Sequence, residues 1–454
     1  MKTKNIILIP IILVALLTGC KKFLEEKSDK KLAVPETLDD LQALLNNNNL
    51  YNIVDPYSGE VSAGDFYLTD TDLNGITSQP DQRLYTWEKD HLYSPAALGN
   101  DWLYLYTLVY LSNSILEKME KIDRTAQNAA QFDNIKGQAC FNRGKAYYNA
   151  LQLWSVAYNK ATAVKDRGIV LRESTDFNIP SKRSTVEEGY STVVADLTAA
   201  SRLLPLPPLH PSRPARQAAF GYLARVFLAM GIYDKAYAYA DSCIAIKGTL
   251  LDYNTLSAAK TYPIDRFNTE VVYECFANNP SIMSNIRAKI VQELYNMYAA
   301  DDLRKQLFFK NNSNGTYGWR GGYAASQGIF PGVVIDEQYL IRAECEARSG
   351  DVPAALRDLN ALLVKRYKTG TFKPLTAGSA AEALGLVLDE RRKELPFRNL
   401  RWSDIKRLNV EGAKINLARV ANGITYTLPA NDPRFALEIP EEIIERSGID
   451  QNIR

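Results

Sequence analysis

Residues 220–243 read FGYLARVFLAMGIYDKAYAYADSC. In the first half, large side chains recur at three- and four-residue steps, the spacing of one face of an α-helix: Phe220, Leu223 and Phe227. In the second half, small side chains recur at the same spacing, where a neighbouring helix must approach closely: Ala236, Ala240 and Cys243. Between them stands Gly231, which adopts the positive φ of a helix end at little cost. The pattern predicts two antiparallel helices joined by a tight turn.

This hairpin is similar to a tetratricopeptide repeat, a helix pair of roughly 34 residues. A second, weaker copy follows further along the chain: Tyr339, Ala343, Gly350, Ala355, Leu359 and Leu362. It is weaker because Arg342 and Glu346 replace the apolar residues of the first copy. Gly231 and Gly350 are not separated by a whole number of repeats, so an irregular insertion is predicted at 251–335.

Further helices are predicted upstream of this hairpin. Helical spacing runs over four segments, which we pair in order: 100–122 with 135–158, and 185–203 with 214–230. Trp102, Tyr106 and Trp154 lie on the apolar faces and are expected in the core. A short helix should begin after Thr37, which is suited to cap it. Residues 51–96 are rich in Asp, Gly and Pro and predict loops with short strands or helices at most.

The N-terminus carries the pattern of an export signal. Lys2 and Lys4 precede an apolar run at 6–17, which closes on Leu-Thr-Gly-Cys20. A run this short cannot span a bilayer as a helix, which needs ~20 residues. We therefore predict a lipoprotein signal peptide at 1–19 and acylation of Cys20, palmitate included. A charged tether at 20–36 would then carry a folded domain at 37–454, divided into 37–250, the insertion 251–335, and 336–454.

Composition limits the kind of partner and chemistry. Lys2 and Lys4 are the only charges before Cys20, so the remaining chain has equal numbers of acidic and basic side chains. That balance argues against nucleic acid as a partner. The remaining cysteines are widely spaced, which indicates buried apolar side chains, although one oxidised pair is also compatible with export: Cys140, Cys243, Cys275 and Cys345. His91 and His210 lie far apart and do not suggest a metal site.

No catalytic motif is present. The chain has no phosphate-binding GxxxxGK[ST], no GxSxG and no dinucleotide fingerprint. The densest carboxylates are Asp389, Glu390 and Glu394, but three basic residues are interleaved with them. We interpret this segment as an ion-paired helix face rather than an acid–base pair, and predict neither an enzyme nor a cofactor.

Two aromatic groups are candidates for binding a sugar, whose apolar face stacks on flat rings. The first lies in a glycine-rich run at 311–323: Tyr317, Trp319, Arg320 and Tyr323. The second lies in the irregular N-terminal region: Asp65, Tyr67, Tyr85 and Trp87. For the first group, ligand contact and packing of the loop are both compatible with the sequence, and Arg320 is suited to bind a ligand or to pair with a neighbour. A ligand site requires the two regions to form one concave surface.

The chain as a whole resembles the SusD-like (RagB-type) family of Bacteroidetes nutrient-binding lipoproteins. The resemblance rests on Cys20 and the tether, on the helix at 37–45, and on C-terminal blocks: YLIRAE at 339–344, LDERRKEL at 388–395, LRWSDIKR at 400–407 and NDPR at 431–434. Trp102, Tyr106 and Asn113 of the first long helix also match it.

The resemblance implies a mainly α fold with about four tetratricopeptide-like hairpins and a large irregular, loop-rich ligand-binding part. It implies no catalysis and no cofactor. Such proteins lie on the cell surface over a SusC-like, TonB-dependent outer-membrane barrel and deliver glycans or peptides to it, with the repeat side against the barrel. The alternative function is a repeat scaffold that binds only protein partners.

Overall fold

The structure is a computed structural model that describes residues 35–93, 100–206, 208–277 and 279–454. The predicted signal peptide, Cys20 and most of the tether lie outside the described residues. The described chain is mainly helical, as predicted. Within it, no helix combines the length and the apolar character that crossing a bilayer requires.

In the described residues, five short helices precede the long ones. They are α1 (Leu38–Leu45), α2 (Asn48–Tyr51), α3 (Ser58–Ser62), α4 (Asp70–Asn74) and α5 (Gln79–Thr86). Thr37 caps α1 as predicted: its hydroxyl accepts a hydrogen bond from the Asp40 amide, and the Asp40 carboxylate accepts one from the Thr37 amide. Residues 51–93 therefore contain short helices between loops, in agreement with the sequence.

The predicted long helices are all present. They are α6 (Asp101–Met119), α7 (Ala129–Trp154), α8 (Val186–Leu203), α9 (Arg216–Ala229) and α10 (Tyr233–Ile246). Each packs against the next in chain order, so the helices form one row. Trp102 and Trp154 are buried, as predicted, and Tyr106 is half-buried.

The hairpin of α9 and α10 shows why the small residues matter. Gly231 has φ +68° and turns the chain between the two helices. Gly221 lets Val333 approach so closely that a Cβ there would lie 2.4 Å from Val333 Cγ1. Phe227 stacks on Tyr239 across the hairpin, with ring centroids 5.6 Å apart. Close helix packing therefore depends on side chains that leave room for the partner.

Seven further helices follow in the described residues. They are α11 (Gln292–Asn296), α12 (Arg304–Leu307), α13 (Ile335–Ser349), α14 (Val352–Leu363), α15 (Ala380–Glu394), α16 (Arg401–Val410) and α17 (Glu441–Ser447). The weaker repeat is the hairpin of α13 and α14, with Gly350 at φ +90° between them. Arg342, which made this repeat look atypical, pairs with Asp358 on α14 and with Asp241 on α10. Its charge therefore joins three helices instead of disrupting them.

Short strands connect regions that are distant in sequence. The ten strands are β1 (Phe66–Tyr67), β2 (Arg167–Val170), β3 (Arg183–Thr185), β4 (Val271–Tyr273), β5 (Lys289–Ile290), β6 (Phe309–Asn311), β7 (Tyr317–Trp319), β8 (Val333–Val334), β9 (Leu417–Ala421) and β10 (Ile424–Leu428). Four of them form an antiparallel sheet in the order β1-β5-β7-β6. In this sheet Tyr67 pairs with Lys289, which pairs with Gly318. The sheet joins the N-terminal irregular region to the glycine-rich run.

All four described cysteines are free and buried, as the sequence indicated: Cys140, Cys243, Cys275 and Cys345. Burial raises the pKa of each thiol, to about 11 for Cys140 and about 12 for Cys345. These side chains are therefore neutral packing groups at physiological pH.

Candidate ligand-binding site

The four-stranded sheet brings the two predicted aromatic groups close together. It does not leave most of them accessible. Of the eight candidate side chains, five are buried: Trp319, Tyr323, Trp87, Tyr85 and Asp65. The other three are half-buried: Tyr317, Arg320 and Tyr67. The position of each determines whether a ligand can reach it.

Trp319 is a packing residue in this structure. It is 3% exposed and stacks on Phe397, with ring centroids 4.7 Å apart and planes 20° apart. Phe308 packs against it as well, at 5.6 Å. Its indole nitrogen has no hydrogen-bond partner in the described structure. Since Phe397 covers a ring face, that face is closed to a sugar.

Tyr323 belongs to a buried network of charges. Its hydroxyl lies 2.9 Å from a carboxylate oxygen of Asp336 and also contacts Glu270. Arg366 donates to Glu270 at 2.7 Å and to Glu394 at 2.6 Å. Glu394 belongs to the LDERRKEL block, and Glu390 of the same helix accepts from Arg304 at 2.8 Å. These two carboxylates are ion-paired, as the sequence suggested, and both lie inside the protein.

The second group surrounds an arginine of the protein itself. Arg419 on β9 lies over Tyr85 and Trp87, with its guanidinium carbon 4.1 Å and 4.6 Å from the ring centroids. It also donates to backbone carbonyls at Val61, Ala63 and Tyr85. Burial lowers the pKa of Arg419 to about 10, and it remains charged at physiological pH. The aromatic faces that suggested sugar binding therefore hold an internal cation.

Asp65 and Arg320 also make internal contacts. Asp65 accepts from Arg392 at 2.9 Å, so its charge is neutralised in the core. Arg320 donates to backbone carbonyls, among them those of Gln306 at 2.9 Å and Ala258 at 2.6 Å. It therefore holds the loop at 258–261 against α12.

An open groove beside the sheet does contain one predicted residue, Tyr317. The ring of Tyr317 stacks on Tyr295 with centroids 3.6 Å apart and planes 13° apart. The groove has a volume of about 450 Å³. It is lined by Tyr295, Ala300, Asp301, Asp302, Leu303, Lys305, Gln306, Phe309, Asn311, Tyr317 and Lys368. The aromatic pair thus lies among amides and charged groups. We call this groove the tyrosine groove.

Lys305 fixes the charge distribution of the tyrosine groove. Its ammonium lies 4.7 Å from the Tyr295 ring centroid and donates to the Tyr298 carbonyl at 2.9 Å. Burial and the neighbouring Tyr317 raise the pKa of Tyr295, so its hydroxyl stays neutral. Asp302 faces Arg304, to which it is paired at 2.6 Å, and only Asp301 presents an exposed carboxylate among the described lining residues. The groove offers hydrogen-bond donors and acceptors around flat rings.

Sequence reasoning missed Tyr295 and Lys305. Both lie in the predicted insertion, but neither stands in the glycine-rich run that was singled out. They reach Tyr317 because β6 and β7 fold back on α11 and α12. The only local signal was the density of aromatic residues in 295–309.

A second concave surface lies on α6. It encloses about 320 Å³ and includes Trp102, Tyr106, Tyr110 and Phe177. Two of its polar side chains are already bonded: the Asn113 amide donates to the Arg172 carbonyl, and the Tyr106 hydroxyl donates to the Val170 carbonyl. Phe177 is 89% exposed and Tyr110 is 56% exposed. This surface is more apolar than the tyrosine groove and is unlike a polar ligand site.

The loop that carries Phe177 is held in place at its base. Arg172 donates to the carbonyls of Ile179 at 2.6 Å and Asp176 at 2.5 Å. The Glu117 carboxylate accepts from the Thr175 amide at 2.7 Å and from the Ser174 hydroxyl at 3.0 Å. The exposed phenyl ring is therefore presented on an ordered loop. We call Leu103, Tyr110, Phe177 and Ile179, all exposed, the apolar surface.

The row of helix hairpins with an open groove in an irregular insertion defines a helical-repeat binding protein. Comparison with known families agrees with this class. A family model described as "Starch-binding associating with outer membrane" matches residues 22–228, and a model of the SusD family matches residues 336–438. The chain belongs to the SusD-like family. No curated protein matches it significantly in sequence.

Solved structures share the fold. A SusD superfamily protein from Bacteroides thetaiotaomicron has a TM-score of 0.74 at 23% identity, over 92% of this chain and 100% of that one. A SusD-like carbohydrate binding protein from Bacteroides vulgatus has a TM-score of 0.60 at 20% identity, over 87% and 89% of the two chains. A surface glycan-binding protein A from Bacteroides fluxus has a TM-score of 0.67 at 16% identity, over 92% and 99%.

Proposed function

We propose that this protein is a non-enzymatic, lipid-anchored glycan-binding protein of the outer membrane that delivers its ligand to a TonB-dependent barrel. The observation that carries the proposal is the stacked Tyr295 and Tyr317 pair in an open polar groove. The family description of starch binding at the outer membrane supports the ligand class and the location. A peptide ligand is the other possibility that the resemblance left open.

The chemistry of the tyrosine groove suits a sugar. A pyranose ring has an apolar face of C–H groups that packs on an aromatic ring, and hydroxyls around its edge that need donors and acceptors. Tyr317 provides a ring that is half-exposed. Gln306 and Asn311 add planar amides to the lining of the groove. Without a ligand, water hydrates these amides and charged groups. A bound sugar replaces those water contacts with hydrogen bonds from its hydroxyls, so binding leaves no buried polar group unpaired.

The groove also supports the proposal of no catalysis. Most glycoside hydrolases use two carboxyl groups that flank the scissile bond. Among the described lining residues, Asp302 is buried and paired with Arg304, which leaves Asp301 as the single accessible carboxylate. Glycan capture requires no such pair.

The apolar surface supports the delivery step. Tyr110 on α6, one of the repeat helices, lines one concavity together with Phe177, and Leu103 and Ile179 are exposed on the same helix and the same loop. Large exposed apolar side chains on ordered backbone are typical of protein interfaces. We propose that this side of the repeats contacts the barrel, while Cys20 is acylated and anchors the chain. The alternative, a scaffold that binds only proteins, uses the same surface but leaves the tyrosine groove without a role.

The test of glycan capture is isothermal titration of soluble protein, without the residues up to Cys20, against a panel of oligosaccharides and peptides. We expect Tyr317→Ala to weaken binding of the recognised glycan by a factor of about 5 to 150, since stacking is worth about 1–3 kcal/mol. Tyr110→Ala removes an equally large ring from the apolar surface and should leave that binding unchanged. Equal binding by wild type and Tyr317→Ala would refute the assignment of the groove.

The test of delivery compares a variant of the apolar surface with a variant of the tyrosine groove. Full-length protein is purified from detergent-solubilised outer membranes of its host, and the co-purifying barrel is quantified. We expect Phe177→Ala to reduce the amount of barrel recovered without changing thermal stability, because the ring is almost fully exposed. Tyr317→Ala is the matched control and should recover the barrel as wild type does. Undiminished recovery by Phe177→Ala would contradict the role of the apolar surface.

A further inference from the structure

The tyrosine groove carries an excess of positive charge. Two cations line it, Lys305 and Lys368. Against them stands the exposed carboxylate of Asp301, because Asp302 is neutralised by Arg304. The chain after Cys20 is balanced in charge, so the local excess is a property of this groove.

These cations differ from the other basic residues near the groove. Arg304 and Arg366 are buried and pair with several carboxylates each. For Lys305 and Lys368, by contrast, no carboxylate lies within 4.0 Å in the part of the chain that the structure describes. The charges of these two lysines are therefore available to a ligand rather than balanced by a carboxylate of the fold.

Of the two lining lysines, Lys305 is held by its ammonium group and Lys368 by its backbone. The ammonium of Lys305 is fixed between the Tyr295 ring and the Tyr298 carbonyl. The backbone of Lys368 is bound to the groove wall, because its amide donates to the Asp301 carbonyl at 2.9 Å. The hydroxyl of a neutral sugar accepts a hydrogen bond from an ammonium group, whereas a carboxylate or sulfate on the sugar gains charge attraction as well.

We propose, resting on the glycan-binding function above, that the tyrosine groove selects anionic glycans, those with carboxylate or sulfate groups. A sugar stacked on Tyr317 places its substituents toward the walls that carry Lys305 and Lys368. Recognition thus combines ring stacking with charge attraction, and added salt weakens the charge attraction only.

The experiment compares oligogalacturonides with their fully methyl-esterified forms, which share one backbone and differ in charge. Soluble protein is titrated with both at low and high ionic strength. We expect esterification to weaken binding about tenfold and high salt to weaken binding of the acidic form only. A sulfated oligosaccharide and its desulfated form provide a second matched pair, and poly-glutamate tests for an acidic peptide.

Variants locate the effect. Lys368→Gln should weaken binding of the acidic form about threefold and leave binding of the ester unchanged. Lys310→Gln is the matched control: it makes the same charge change on β6, but strand alternation puts Lys310 on the face opposite to Phe309 and Asn311, which line the groove. Equal losses in both variants would overturn the assignment of the charge to the groove.

The outcomes separate this inference from the proposed function. If neutral and anionic forms of a glycan bind equally well, the preference for anions is overturned while glycan capture stands. Binding of poly-glutamate without binding of either anionic glycan overturns both in favour of a peptide ligand. If no glycan of either charge binds, both proposals fail.

Discussion

Trp319 gives the sharpest test of how the insertion is built. Trp319→Ala removes a side chain that is 97% buried and stacked on Phe397. Truncation of a buried Trp costs about 3–5 kcal/mol, through lost transfer free energy and the cavity that remains. Unfolding a domain of roughly 400 residues involves an entropy of about 0.9 kcal/mol/K, so the midpoint should fall by about 3–6 °C.

Trp319→Phe is the matched control for this prediction. The indole nitrogen has no hydrogen-bond partner, so phenylalanine loses ring area but no hydrogen bond. We expect it to cost less than about 1.5 kcal/mol. Differential scanning calorimetry and urea unfolding, monitored by circular dichroism, measure both variants. A Trp319→Ala protein that keeps the wild-type midpoint but no longer binds glycan would refute the reasoning, because it would show a ligand-facing rather than a buried ring.

Two further predictions concern the remaining buried charges. Arg419→Met should lower the free energy of unfolding, measured by urea titration, by about 3 kcal/mol or more, because the backbone carbonyls of Val61, Ala63 and Tyr85 lose their donor in a site closed to water. Arg320→Met should lower it clearly less in the same titration, because water can replace the guanidinium at that half-buried position. Burial raises the pKa of Glu60 from 4.5 to about 8, so between these pH values the folded state holds a proton that the unfolded state releases. The free energy of unfolding should therefore fall as pH rises from 4.5 to 8. Glu60→Gln should flatten this slope, and an unchanged slope in the variant would contradict the prediction.

The helices were the most predictable part of the fold. Spacing at 100–122 predicted the helix found at Asp101–Met119, and Gly231 and Gly350 both end helices at positive φ. Such features depend on neighbours three or four residues away, so a single sequence contains them. The division into 37–250, 251–335 and 336–454 stays a prediction, as do the acylation of Cys20 and the tether.

The binding site was much less predictable. The glycine-rich run left ligand contact and packing both open for Trp319, and Phe397 covers its ring from a distant segment. Tyr85 and Trp87 suggested a sugar platform, yet Arg419 from β9 fills the space between their rings. An aromatic residue in a loop is compatible with a ligand face and with packing, and the sequence cannot say which partner will arrive.

By itself, then, the sequence determined the helix hairpins and the family blocks, because helical periodicity, turn residues and short motifs act over a few positions. Only the tertiary structure decided which aromatic rings face solvent. Burial depends on contacts between segments hundreds of residues apart, such as Arg419 with Tyr85, and on the strand order β1-β5-β7-β6 that places Tyr317 beside the tyrosine groove. Of the predicted aromatic residues, Tyr317 keeps a half-exposed ring there because its stacking partner, Tyr295, itself lies at the surface of the insertion.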